Sequence, residues 1–395
     1  MQLEKFLEGK PLFYKEIDYT RMPRAFRSIK GALKPFKIIH VIGTNGKGST
    51  GRFLAQILRS TGASVGHYTS PHIFKFNERF WLNGCVASDE ILEAAHEKLQ
   101  NLLSDEFKIK TSYFEYATLL AAVLFEGCDH FICEAGMGGE FDATNVYDKI
   151  LSLFTPIGLD HMAMLGDTIE RISLTKFNAM SDTNILNDTM NETSLKVALD
   201  IARTRRAKLN FASEILNLDE KNEILDYAKR FDLPDFLISN LTLAAAAARQ
   251  LGVKFDMKNL GALDLGGRCE RVARNLYADV GHNELGAQAI ARNFKGKKLT
   301  LIYNSFLDKD FRAVLSALKP IVSNVLVYDY KSEERELGGE LIKKALTQLE
   351  LPYRDFARSD MAEILAATNG KTYLAFGSFY LVEAFLRDYY ASKGL

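Results

Sequence analysis

Short apolar runs alternate with amphipathic stretches along this chain, and the spacing of apolar positions predicts what each becomes. Lys37-Ile-Ile-His-Val-Ile-Gly43 reads as a buried strand, followed by a helix over about 49–60. Residues 129–134 and 149–155 read as further buried strands, and helical spacing recurs near 88–103, 114–126, 168–180, 191–204 and 240–251. Such alternation argues for a parallel sheet with helices on both faces. A second series follows the glycine-marked stretch 261–267, with strands near 276–280, 298–303, 323–328 and 372–376. Helices near 284–293, 309–318, 338–349, 358–367 and 379–391 separate those strands. Gly266-Gly267 reads as a hinge, because glycine tolerates the backbone angles that a junction needs. Two α/β domains are expected, 1–264 and 265–395, with no internal repeat and no low-complexity linker.

Composition narrows the picture. The chain has 395 residues, 47% hydrophobic and 25% charged, which suits two or three globular domains. Its 50 basic residues balance its 50 acidic ones, so no electrostatic reason points to nucleic acid or an anionic membrane as a partner. Cys85, Cys128, Cys133 and Cys269 form no Cys-x-x-Cys pair and read as free thiols in a reducing compartment. Residues 1–10 carry charge throughout and no long apolar run follows, so neither a signal peptide nor a membrane helix is expected. The expectation is a cytoplasmic monomer.

The strongest local signal is Gly43-Thr44-Asn45-Gly46-Lys47-Gly48-Ser49-Thr50, between a buried strand and a helix. Glycines there let backbone N–H groups converge on phosphate oxygens, and the helix N-terminus favours negative charge. Lys47 would bridge the outer phosphates of ATP, while Ser49 or Thr50 could hold its Mg²⁺. The spacing is tighter than the general Gly-x-x-x-x-Gly-Lys-Ser/Thr pattern, so context rather than the pattern carries the reading. The fold expected is α/β: an N-terminal P-loop domain whose mostly parallel sheet is flanked by helices, plus a smaller Rossmann-like C-terminal domain.

Ligands of open α/β sheets sit beyond the carboxyl ends of the strands. Ser70, Glu134 and the pair Asp160-His161 fall at such ends and could supply mixed ligands for Mg²⁺. The bland readings are a turn at Ser70-Pro71-His72, a surface charge pair at Glu78-Arg79, a hydrogen-bonded His161 and a solvated Lys176.

In order along the chain, His40-Val-Ile-Gly-Thr-Asn-Gly-Lys-Gly-Ser-Thr50, Tyr68-Thr-Ser-Pro-His72 and Phe76-Asn-Glu-Arg79 are followed by Phe114-Glu115. Glu134-Ala-Gly-Met-Gly-Gly139, Asp142-Ala-Thr-Asn145 and Gly158-Leu-Asp-His161 come next. Gly267-Arg268, Asp279-Val-Gly-His-Asn283, Asp308-Lys-Asp310 and Gly377-Ser378 complete the series. Together these segments resemble folylpolyglutamate synthase and dihydrofolate synthase, of the Mur-ligase superfamily. The resemblance implies that Thr44 to Thr50, with Asn240, Arg268, Asp279 and His282, contact ATP. It implies Ser70, Glu134 and His161 as Mg²⁺ ligands, and Lys47, Lys176 and His161 as catalytic groups, Lys176 as a carbamate. His72, Phe114, Asp142, Thr144 and Asn145 would surround the pteridine. The chain departs from the family in two main places, where Glu140 stands for the usual arginine and Lys176-Phe-Asn-Ala replaces Lys-Ala-Gly-Ile, and more mildly at Val280 and Glu284, which replace the usual Gly and Pro.

The reaction so implied joins glutamate to dihydropteroate or a folate at the expense of ATP, by way of an acyl phosphate. Two other readings stand beside it: a Mur-type ligase acting on a different acceptor, and a non-catalytic nucleotide-binding paralogue suggested by Glu140 and Phe177.

Overall fold

A computed structural model describes residues 2–12, 18–332, 335–368 and 370–394. The chain divides into two compact units, one of residues Met1–Ile157, His161–Leu233 and Leu237–Asp264, the other of Gly158–Asp160, Pro234–Phe236 and Leu265–Leu395.

Eight strands form the sheet of the first unit: β1 (Ile38–Ile42), β2 (Val65–Tyr68), β3 (Phe80–Leu82), β4 (Cys85–Val86), β5 (His130–Glu134), β6 (Lys149–Phe154), β7 (Thr183–Leu186) and β8 (Lys208–Phe211). Their order is β4-β3-β2-β5-β1-β6-β7-β8. All neighbours are parallel except the β2–β3 and β3–β4 pairs. β1 is buried at all five positions, as its unbroken apolar run requires of a central parallel strand. Register then gathers the loops. Val41 lies opposite Glu134, Ile42 opposite Phe154 and Tyr68 opposite Cys133. The chain therefore leaves β1, β2, β5 and β6 at one edge of the sheet.

Aromatic and aliphatic side chains including Phe80, Tyr116, Leu120, Phe125 and Phe131 make one core of this unit. A second gathers Ile42, Phe154, Ile172, Phe177 and Leu186.

The second unit holds β9 (Glu270–Ala273), β10 (Leu276–Asp279), β11 (Leu299–Tyr303), β12 (Val322–Val327), β13 (Tyr353–Asp355) and β14 (Tyr373–Phe376), in the order β13-β12-β11-β14-β10-β9. Only β9 runs antiparallel to its neighbour. Leu301, Leu315, Val325, Leu374 and Phe376 anchor its core.

The elements that the apolar pattern predicts are present, but the 13-residue helix Leu218–Arg230 is not among those predicted. β3, β4, β7, β8, β9 and β13 do not appear in that pattern: they have two to four residues, near the limit for a period, whereas the equally short β10 and β14 are marked by their largely buried apolar runs. The helix Arg21–Lys30 was hidden differently: four basic residues and a proline mask a stripe at Met22, Ala25, Phe26 and Ile29, all buried. Among the described residues no helix is long and apolar enough to cross a membrane.

Gly66 on β2 tests the packing. A Cβ there would lie 2.3 Å from Cγ of Phe125. Gly66→Ala is expected to destabilise the protein by about 1–3 kcal/mol through overpacking, read as a lowered midpoint of urea unfolding. An unchanged midpoint would show that the Phe125 ring yields freely.

Candidate active site

The phosphate loop begins where β1 ends. Gly43 passes so close to Thr155 that a Cβ would lie 1.9 Å from its hydroxyl oxygen. Thr44 and Asn45 donate their amides to the Pro156 carbonyl, at 3.0 and 3.3 Å, pinning the loop to the end of β6. Gly46 takes the left-handed conformation at φ 88° and starts the Lys47–Ser60 helix without a side-chain cap. Its absent Cβ is filled by Asn240, whose Oδ1 would be 2.5 Å away. Asn240 is buried on the Asp235–Gln250 helix, which Asn187 secures by donating to the Ser239 carbonyl and accepting from the Ser239 hydroxyl.

At the next strand tip, Glu134 is buried and its Oε1 lies 3.9 Å from Nζ of Lys47. The Lys47 ammonium also donates to the Thr44 carbonyl at 3.1 Å. Because β2 and β5 are parallel and in register, the Thr69 hydroxyl reaches Oε2 of Glu134, and the Ser70 amide donates to the same oxygen at 3.3 Å. Ser70 is followed by a cis bond to Pro71. Lys176, expected from sequence alone to be solvated, is instead buried, and its Nζ donates to the Gly43 carbonyl at 2.8 Å. Phe177 turns into the core, its ring centroid 4.7 Å from that of Phe154. His161 sits at the exposed start of a short helix, Met162–Leu165, with φ 51°.

A nucleotide phosphate with Mg²⁺ fits these residues. The hydroxyls of Ser49 and Thr50 are buried with no hydrogen-bond partner, and the amides of the first helical turn have no intrahelical acceptor. Among the described residues no three His, Cys, Asp or Glu side chains converge as a metal cage. Mg²⁺ suits such a place, since it commonly takes one or two protein oxygens and completes its shell with phosphate and water.

The expected acceptor segments are built more tightly than their sequence suggests. Glu78 and Arg79 are no surface pair. The Glu78 carboxylate accepts the amides of Ile73, Phe74 and Lys75 at 2.8–2.9 Å. Arg79 is buried, lies over the Tyr113 ring at 5.3 Å and donates from Nε to Nδ1 of His72 at 2.9 Å. Burial, aided by Arg79, lowers the His72 pKa to about 4. The ring is therefore neutral at neutral pH, and with Nδ1 accepting, Nε2 carries the proton. Phe114 lies over Gly136, where a Cβ would be 2.4 Å from Cζ, and stacks on Tyr68 at 6.0 Å. Asp142 and Thr144 turn inward. Oδ1 of Asp142 accepts from the Thr144 hydroxyl at 2.5 Å, Oδ2 accepts the Met137 amide at 2.7 Å, and Thr144 pairs with Nε2 of His40 at 2.8 Å. Burial raises the Asp142 pKa and drives that of His40 well down.

In the second unit, Asp279 accepts the amides of Cys269 and Gly281, both at 2.7 Å, and burial raises its pKa. Arg268 directly precedes Cys269, whose amide Asp279 accepts, and lies over the Phe379 ring at 5.1 Å. Asp160 accepts from Lys309 at 2.7 Å and from Asn283 at 3.0 Å, and lies 3.1 Å from Nε2 of His282. The sequence reading singled out neither Thr69, Thr155, Asn187 nor Lys309 as a site residue. Only Lys309, inside Asp308-Lys-Asp310, lay in a motif that could have flagged it.

A phosphate loop opening a helix, a strand-tip carboxylate beside its lysine and a second α/β unit define the two-domain fold of the Mur-type ligases. No protein-family model matches the chain. It is 30% identical to dihydrofolate synthase/folylpolyglutamate synthase of Bacillus subtilis, over 85% of this chain and 86% of that protein. It is 31% identical to the Escherichia coli protein of that name, over 74% and 73%. Among solved structures, Helicobacter pylori folylpolyglutamate synthetase aligns over 98% of both chains at 40% identity and a TM-score of 0.77. Escherichia coli FolC, solved in complex with DHPP and ADP, aligns over 100% and 99% at 25% identity and a TM-score of 0.82. The chain belongs to the dihydrofolate synthase/folylpolyglutamate synthase family.

Glu78→Ala leaves three loop amides without their acceptor. Hydrogen bonds to a charged group are worth about 1.5–3 kcal/mol, so a loss of that order in unfolding free energy is expected. Amide exchange at Ile73, Phe74 and Lys75 should accelerate with it, and protection equal to the parent's would exclude the carboxylate as their anchor.

Proposed function

We propose that this chain joins L-glutamate to dihydropteroate, to a folate, or to both, releasing ADP and phosphate. The observation that carries the reading is the meeting of Lys47 and Glu134, 3.9 Å apart, beside the unpartnered hydroxyls of Ser49 and Thr50.

A carboxylate is a poor electrophile, so the acceptor is first phosphorylated by ATP to an acyl phosphate. The turn from Thr44 to Thr50 holds the phosphates, with Asn240 closing on Gly46. Lys47 offsets the charge that spreads over the transferred group. Ser49 or Thr50, Ser70, Glu134 and His161 are the groups that would hold Mg²⁺, which neutralises phosphate charge and aligns the transfer. Lys176 fixes the Gly43 carbonyl at the start of the loop. His72, with its Nε2 proton, offers a hydrogen bond to the acceptor, and Phe114 offers a flat apolar face beside Tyr68. Asp142 and Thr144 tie the neighbouring segment to Met137 and His40, and Asn145 holds the Glu140 carbonyl. Glutamate's amine attacks the acyl carbon, phosphate leaves and the amide forms. No protein nucleophile enters the sequence of steps.

On this reading residues 1–264 carry the ATP and acceptor sites, and 265–395 form the C-terminal ligase domain, with Arg268, Asp279 and His282 toward ATP. The protein acts as a cytoplasmic monomer with no nucleic-acid or membrane partner. Glu140 and Phe177 do not speak for a non-catalytic paralogue, since each is packed or hydrogen-bonded in place.

With ATP, glutamate and each acceptor supplied in turn, phosphate release should match amide product. Phosphate without pteridine-dependent product sinks the assignment. Lys47→Ala should lower kcat about a hundredfold or more, as removal of one preorganised donor does, with the Tm little changed; near-parent turnover would remove Lys47 from the mechanism.

A further inference from the structure

The Gly138–Glu140 turn and the end of the Ile169–Phe177 helix are in backbone contact. A Cβ on Gly139 would lie 2.7 Å from both Cα of Lys176 and the Thr175 carbonyl oxygen. That carbonyl is among those a helix leaves without an intrahelical donor at its last turn, and the Glu140 amide donates to it at 2.8 Å. The Glu140 carboxylate accepts from the Asn178 side-chain amide at 2.7 Å, immediately beyond the helix. Asn178 accepts in turn from Arg205 at 3.3 Å. On the other side, Asn145 donates to the Glu140 carbonyl at 2.8 Å and accepts from Lys149. Between the two anchors of Glu140 lies Lys176, whose Nζ donates to Gly43 of the phosphate loop. One turn of helix thus bonds two loops that are far apart in the chain, one at Gly43 and the other at Gly138–Glu140.

The geometry points to Glu140 and Asn178 as a positioning pair that sets Lys176 against the phosphate loop and locks the 138–145 loop to the same helical turn. Both residues act here through the helix end and the loop backbone they bond. The pair works because one member only accepts and the other donates; two acceptors there would separate. Asn178→Asp makes that change without altering size, and Glu140→Gln supplies a donor that restores complementarity. The kinetic part of the test rests on the ligase reading, whereas the exchange part does not.

Amide exchange is measured over 43–46 and 138–142 in the parent, in Asn178→Asp, in Glu140→Gln and in the double variant. Asn178→Asp should speed exchange in both segments, although it is bonded to neither end of the phosphate loop, and the double variant should recover protection. In turnover, Asn178→Asp should lower kcat about tenfold, a modest misplacement by the standard of 10²-fold per ångström. The double variant should return to within about threefold of the parent, the coupling expected of contacting residues. Glu140→Gln alone, which still accepts from Asn178, should stay near the parent and keeps the test decisive should Asn178→Asp unfold. Unchanged exchange over 43–46 in Asn178→Asp, or additive losses in the double variant, overturns the pair. If the parent turns over no acceptor, the ligase reading fails and the exchange result still decides the pair.

Discussion

The site depends on the alignment of four parallel strands. Because Tyr68 lies opposite Cys133, Val41 opposite Glu134 and Ile42 opposite Phe154, Thr69, Glu134, Gly43 and Thr155 emerge together at one edge. A shift of one residue in β5 would turn Glu134 to the other face and take it from both Thr69 and Lys47. Close approach does the rest. Gly43 lies against Thr155 and Gly46 against Asn240 with no room for a side chain, so the loop is fixed from β6 and from the Asp235–Gln250 helix at once.

Around that edge the chain buries many polar groups, and its buried carboxylates are hydrogen-bonded. Asp142 is buried deeply enough for its pKa to rise, yet it accepts from a hydroxyl and from backbone amides. Asp279 does the same in the second unit with two amides. Buried polar groups left unpaired are costly, and satisfied networks rigidify what they hold. These carboxylates therefore read as builders of loops. The groups that remain unsatisfied are a different population, and the hydroxyls of Ser49 and Thr50 are among them.

This division also explains what could be read from sequence. The phosphate loop, the β1 strand and the helix after it are local patterns, and they were legible. Glu134 was legible as a strand end. Thr69 was not, because its role comes from a residue 65 positions away in β5. Asn187 secures the Asn240 helix across 52 residues, and Asp160 meets Lys309 across 149; no local pattern encodes either. Lys176 looked like any helical lysine, since burial comes from the packing of its helix on the Gly138–Glu140 turn. Asp142 and Thr144 lie in the expected acceptor segment, but periodicity could not tell that both side chains turn inward to His40.

The unsatisfied hydroxyls bear on stability as well as on binding. A buried donor or acceptor without a partner costs about 1–3 kcal/mol, a large share of the 5–15 kcal/mol that holds a domain folded. Nothing in the packing of the Lys47–Ser60 helix requires serine and threonine at these two places, for their neighbours Phe53, Leu54 and Ile57 are apolar and fully buried. At this turn the amides of a helix N-terminus accompany the two hydroxyls, so incoming oxygens can offset the cost. A ligand that bonds these hydroxyls in the native state alone shifts folding in proportion to its occupancy, about 2.7 kcal/mol at a hundred times its dissociation constant. The same two groups thus tie the stability of this turn to the oxygen-rich ligand that its backbone amides also suit.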